Sequence, residues 1–141
     1  MNQETFKKSA RGIFAGILVV FLFAAFNINF TDKDKSYADN WKFALSHPTI
    51  LLHILFATVV LIGSLILLVR SIRSKKKPWI IWSAIGAISL FIAYGYGEVY
   101  VKTLSNYALS DMGAAGGAAL LVYGIMWYLF RNKKDLKITN K

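Results

Sequence analysis

Long, uninterrupted blocks of apolar residues are the main pattern along this chain. Four such blocks alternate with polar segments, and about 20 helical residues are enough to cross the hydrocarbon core of a bilayer. Transmembrane β-strands are excluded because their apolar and polar residues would alternate. The pattern predicts an all-α protein, a four-helix transmembrane bundle that forms one domain over residues 1–141. The predicted spans are residues 12–30, 48–69, 79–101 and 108–130.

The composition agrees with this interpretation, since hydrophobic residues make up 56% of the chain and charged residues only 17%. Soluble domains are less apolar. Lys7, Lys8 and Arg11 before the first block also resemble the start of a signal peptide. However, the block is long and no small-residue cleavage site follows it, so we expect an uncleaved helix. The absence of cysteine excludes disulfides, thiolate metal sites and covalently attached haem.

The distribution of basic residues predicts the orientation of the spans. Thirteen of the 17 Lys and Arg residues lie in the N-terminal tail, the loop between spans two and three, and the C-terminal tail. Segments rich in Lys and Arg remain in the cytoplasm, so both termini are expected there and the protein in the cell membrane. The net charge of +10 lies beside the spans. This placement favours contact with anionic lipid headgroups and gives no basis for a nucleic-acid partner.

Two further patterns concern the packing of the helices. The polar connection between the first two spans predicts a short surface helix at residues 37–45, with Trp41 resting on the membrane. Small residues also recur at helical spacing and would let helices approach closely. The small face of the fourth span could instead leave room for a flat ligand. The recurring small residues are Gly12, Gly16, Gly86, Ala93, Gly97, Gly113, Gly117 and Gly124.

Few side chains in the spans can carry chemistry, and ionisable groups inside a bilayer are costly enough to mark candidate sites. His47 and His53 lie at the start of the second span. His53 is expected to share a face with small or weakly polar residues and to point into the bundle, whereas His47 is on a different face. At about the same depth the other spans carry a further set of candidates. These are Tyr94, Glu98, Asp111 and Met112.

Haem is the cofactor that this set of residues suits best. It is flat and apolar, and it binds in four-helix bundles through inward His or Met ligands. His53 is the expected ligand of the haem iron, and His47 or Met112 is the candidate second ligand. A zinc site would need three or four ligands in a spacing that the chain lacks. Catalytic triads, phosphate-binding loops and dinucleotide fingerprints are also absent from the sequence.

The layout of short motifs in spans two to four also favours a haem protein. Span two reads His-Pro-x4-His and ends in Arg-Ser-Ile-Arg, span three ends in Ala-Tyr-Gly-Tyr-Gly-Glu-Val-Tyr, and span four opens with Ala-Leu-Ser-Asp-Met-Gly. This layout, over residues 47–113, resembles small four-span bacterial membrane proteins of the b-type cytochrome kind. The resemblance implies a non-covalently bound haem b, with His53 as the first position to carry over.

Three functions compete at this stage. The first is a haem-binding or electron-transfer protein. The second is a non-enzymatic accessory or immunity-type protein, which would act through helix contacts with a membrane-protein partner or a second copy of the chain. The third is a small transporter or channel subunit, which would need a continuous polar path. The polar residues inside the spans are too scattered to predict such a path.

Overall fold

The computed structural model describes residues 1–25 and 36–130, which form five α-helices. Four of them are long and apolar enough to cross a membrane. This confirms the all-α fold, and the four long apolar helices indicate a multi-pass membrane protein. Helix α2 confirms the short helix predicted at residues 37–45. The helices are α1 Gln3–Ala25, α2 Tyr37–Ser46, α3 Pro48–Arg73, α4 Lys77–Thr103 and α5 Asn106–Leu129.

The ends of the helices are set by local backbone features, such as a proline or a left-handed residue, and not by where the apolar blocks end. Most helices therefore extend beyond these blocks. Helix α1 begins at Gln3, nine residues before the predicted start, and residues 26–30 of the first predicted span lie outside the described residues. Helix α3 begins at Pro48, as predicted, because proline suits the first helical turn. It continues to Arg73, since intrahelical hydrogen bonds do not require apolar side chains. Helix α4 ends before Leu104, which adopts a left-handed conformation with φ 50°.

The four long helices form a ring in which the backbone of each lies close to the backbones of two adjacent helices. The contacting pairs are α1–α3, α3–α4, α4–α5 and α5–α1, whereas the pairs α1–α4 and α3–α5 lie diagonally opposite one another. Helix α2 packs against α3 and α4. We call the end of the bundle that holds the start of α1, the α3–α4 turn and the end of α5 the basic end. The opposite end is the α2 end.

Each long helix turns one narrow stripe of side chains into the core. The stripe of α1 contains Phe6, Ala10, Ile13 and Ile17, at spacings of three and four residues. At the basic end, the Phe6 ring stacks on Trp79 with 4.4 Å between centroids. Phe6 also meets Phe130 edge to face at 5.2 Å. The remaining surfaces of the four helices are mostly apolar and exposed, as lipid-facing surfaces are.

Glycines allow close helix contact at some of the predicted positions but not at others. A Cβ atom at Gly16 would lie 2.6 Å from Val60, and one at Gly86 would lie 2.7 Å from the Tyr123 ring. The predicted contact face of α5 differs in detail. No described atom lies within 4 Å of a Cβ built at Gly113 or Gly117, because the Phe21 ring of α1 packs over Gly116 instead.

Candidate functional site

His53 lies on the second turn of α3, where α3 faces α1. Its side chain is partly buried, and its Nδ1 atom is 3.1 Å from the backbone carbonyl oxygen of Val20. A carbonyl oxygen can only accept, so Nδ1 donates and Nε2 keeps its lone pair. Nε2 has no hydrogen-bond partner among residues 1–25 and 36–130. The imidazole is therefore held in one orientation and one tautomer, with one basic nitrogen unused.

The face that carries His53 is the buried face of α3. Val60 and Ser64, two and three turns further along the same stripe, are buried. Beside this stripe, the Phe56 ring stacks on Phe23 of α1 with 5.6 Å between centroids. His53 thus lies where α3 meets α1, with its Nδ1 atom directed at the α1 backbone.

His47 lies outside the bundle, at the junction between α2 and α3. It is exposed, its ring centroid is 3.7 Å from that of Phe43, and its Nδ1 atom is 3.0 Å from the Phe43 carbonyl oxygen. Its backbone ends one helix and begins the next. These contacts hold His47 against α2 and away from the stripe that carries His53.

Met112 is on α5, the helix diagonally opposite α3. Its Sδ atom lies 3.5 Å from the position that a Cβ atom would take at Gly97 of α4. The sulfur thus packs against α4, whereas His53 packs against α1. The structure places the two expected ligands at approximately the same level of the bundle but does not bring them together.

The other polar candidates at the α2 end are exposed and separated. The Tyr94 hydroxyl is 3.4 Å from Thr58 Oγ1. Glu98 accepts from the Tyr37 hydroxyl at 3.5 Å, which links α4 to α2. Asp111 is exposed at the start of α5. Within the described ranges there is no group of three or more His, Cys, Asp or Glu residues that could hold a metal ion.

The structure also contains interior polar groups that the sequence interpretation missed. Ser71 and Ser83 are fully buried, and their hydroxyls lie 2.9 Å apart across the α3–α4 interface. Ser64 was not missed, since it is one of the weakly polar residues expected on the face of His53; its hydroxyl donates to the Leu61 carbonyl of its own helix at 2.8 Å. Buried Leu67 separates Ser64 from Ser71, so these serines form local contacts and no continuous polar path. The seven-residue spacing of Ser64 and Ser71 was the available signal, since it places both on one helix face.

Two surface grooves lie away from His53, one between α1 and α5 near the basic end and one along the outer face of α3. If a haem bound here, His53 is the residue that could hold its iron, because Nδ1 donates to the Val20 carbonyl and Nε2 is left for the metal. A second ligand from His47 or Met112 would require these side chains to leave the contacts described above.

Comparisons with known proteins leave the function to be argued from the site itself. No family model matches the chain, and no curated protein or solved structure shows significant similarity to it.

Proposed function

We propose that the protein is a membrane-embedded haem b-binding protein in which His53 would hold the haem iron. The observation that carries the proposal is the hydrogen bond from His53 Nδ1 to the Val20 carbonyl, at 3.1 Å. A histidine that binds a metal through one ring nitrogen commonly donates the other N–H to a carbonyl, which fixes both its tautomer and its orientation. His53 has this arrangement with Nε2 unused.

The haem would supply one-electron redox chemistry when bound. The contribution of the chain is to hold His53 neutral and oriented in a site from which the bilayer excludes water. His53 is five residues into α3, about 7.5 Å along the helix from Pro48. One haem so close to the α2 end could not carry electrons across the bilayer by itself. The proposal therefore includes a redox partner that meets the protein at this end.

The test is the absorption spectrum of detergent-purified protein from cells supplied with a haem precursor. The expected result is a Soret band that disappears or shifts in His53→Ala. His47→Ala is the matched control, because His47 also bonds a carbonyl through Nδ1 but lies outside the bundle. A wild-type protein without a Soret band, or a His53→Ala variant with an unchanged band, would contradict the proposal.

We also propose the cell membrane as the location, with both termini in the cytoplasm. Support comes from the thirteen basic residues in the terminal tails and the α3–α4 region, against four in the other loops. The α2 end then faces outward, and the haem site lies in the outer half of the bilayer. The basic residues at the opposite end would contact anionic headgroups.

A non-enzymatic accessory protein is the second candidate, and the filled interior favours it. The fully buried Tyr123 ring packs against Gly86, and Phe6 and Trp79 fill the basic end. Such a protein would act through its outer surface on a membrane partner or a second copy.

Photo-reactive residues replacing Phe91 and Leu121, which are each 68% exposed, test this alternative in intact membranes. A discrete cross-linked protein product together with no Soret band would support it. Adducts to lipid alone would count against it.

A further inference from the structure

Helices α1 and α5 leave an apolar groove on the lipid-facing surface near the basic end. Phe14 forms one wall, and α5 supplies the other with Leu120, Leu121, Ile125 and Leu129, while Gly124 forms the floor against the Phe14 ring. The lining is apolar along its length. A groove with two walls differs from the exposed strip of α3, whose lining comes from a single helix.

The length of the groove matches one leaflet of a bilayer. Leu120 and Leu129 are nine residues apart, which corresponds to about 14 Å along a helix. Half of a typical hydrocarbon core is about 15 Å. Because Leu129 is the last residue of α5, the groove starts near the membrane surface and runs towards the bilayer centre.

A cationic side chain lies on α1 next to the Phe14 wall of this groove, on the side of the basic end. Arg11 is one turn before Phe14 on α1 and is exposed. Its guanidinium carbon lies 5.7 Å from the centroid of the Trp127 ring, and the same ring is 5.7 Å from that of Phe14. Among the residues that the structure describes, Arg11 has no acidic partner. Guanidinium groups bind phosphate oxygens through paired N–H donors.

We propose that this groove is a binding site for one anionic phospholipid. An acyl chain lies between α1 and α5, and the phosphate group is bound by Arg11. The charge of Arg11 beside the groove, the apolar lining and the one-leaflet length together match an anionic phospholipid. The proposal is independent of haem binding, because the groove does not touch His53.

Native mass spectrometry of the full-length protein in detergent tests the site, with phosphatidylglycerol and phosphatidylcholine of identical chains as probes. Wild-type protein is expected to retain phosphatidylglycerol preferentially. Arg11→Gln should weaken that retention about fivefold, the contribution of one basic residue at a membrane surface. Arg73→Gln is the matched control, because Arg73 lies at the same end of the bundle on the single-helix strip of α3.

A second variant tests the apolar part of the groove. Leu121→Trp adds volume at an exposed position and should reduce binding of both lipids without disturbing the core. Three results would overturn the proposal: equal retention of the two lipids, equal losses in Arg11→Gln and Arg73→Gln, or displacement of the lipid by water-soluble glycerol phosphate. A dimer that forms in wild type and is lost in Leu121→Trp would instead identify a second copy as the occupant.

Discussion

Tyr123 is the largest fully buried side chain among the described residues, and it packs against Gly86, which has no side chain. A Cβ atom on Gly86 would lie only 2.7 to 2.9 Å from the nearest ring carbons and the hydroxyl oxygen of Tyr123. The hydroxyl lies near Ser64 but has no hydrogen-bond partner that meets ordinary geometry in the described part of the chain. Burial of the ring must therefore offset an unpaired hydroxyl, which costs about 1–3 kcal/mol.

Gly86→Ala should destabilise the bundle by about 1–3 kcal/mol, the usual cost of inserting a methyl group into a filled interior. Gly95→Ala is the control on the same helix, because a Cβ atom there would meet no described atom within 4 Å. It should be neutral or slightly stabilising, since alanine has the higher helix propensity. The measurement is thermal unfolding in detergent. Equal melting temperatures for the two variants would show that Tyr123 does not pack against Gly86.

At the scale of elements, α2 is the helix with the fewest contacts to the rest of the chain, and one amide side chain fastens it. Asn40 is 3% exposed, and its Nδ2 atom donates to the Val101 carbonyl of α4 at 3.0 Å. The helix is started locally by Ser36, whose hydroxyl accepts from the Asp39 backbone N–H at 3.3 Å. Local capping thus forms the helix, whereas Asn40 docks it on the bundle.

Asn40→Ala should leave α2 helical but loosen its attachment to α4. Loss of one buried hydrogen bond of about 1–1.5 kcal/mol would raise the hydrogen-exchange rate of the α2 amides by roughly tenfold. Lys42→Ala is the control on the same helix, since the Lys42–Asp39 ion pair is exposed and long at 3.9 Å. If exchange in α2 responds equally to both substitutions, the Asn40–Val101 contact does not fasten the helix.

The elements of this fold were predictable to different degrees, for physical reasons. The start of α3 at Pro48 and the extent of α2 follow from short-range signals, so the sequence was sufficient for both. The contact of Phe21 with Gly116, in place of Gly117, depends on the rotation of α5 against α1. Rotation is fixed by packing among several helices, and small residues on adjacent faces of one helix do not specify it.

The candidate site was also predictable only in part, because its geometry depends on how the helices pack together. Depth along a helix can be counted from residue number, and His53 and Met112 were accordingly expected in the same half of the bundle, with Met112 nearer the surface. Which helices are neighbours cannot be counted in this way. The ring places α5 diagonally opposite α3, so similarity in depth did not bring the two side chains together. The sequence also could not show that His53 would bond the Val20 carbonyl of α1. Every helix carries many backbone carbonyls, and nothing in the sequence selects one of them as the acceptor.

At the scale of the whole molecule, the two ends of the bundle differ in charge, because most of the Lys and Arg residues lie at the basic end. The turn between α3 and α4 contains Lys75 with φ 57° and lies among several basic residues. Short loops with this composition resist transfer across a membrane. The basic end is therefore expected to remain on the side where the chain is synthesised, whichever function the protein has.

Single cysteines introduced into the cysteine-free chain test this orientation. Lys42→Cys on α2 and Lys77→Cys at the start of α4 both replace exposed residues. A membrane-impermeant maleimide should label Lys42→Cys in intact cells, and Lys77→Cys only after lysis. The opposite pattern would reverse the proposed topology, and equal labelling of both in intact cells would contradict a four-span arrangement.

The closure of the ring by its first and last helices has a consequence for biogenesis. The Gln3 side chain donates to the Phe130 carbonyl at 3.3 Å, and Phe14 and Phe21 of α1 pack on glycines of α5. A ribosome delivers α1 first and α5 last, so α1 enters the membrane long before half of its packing surface exists. Until then it can pair only with α3 and α4, through contacts such as Gly16 with Val60 and Phe6 with Trp79. A nascent chain that stops before residue 106 would leave Phe14 and Phe21 without their α5 partners, with assembly arrested one helix short of closure.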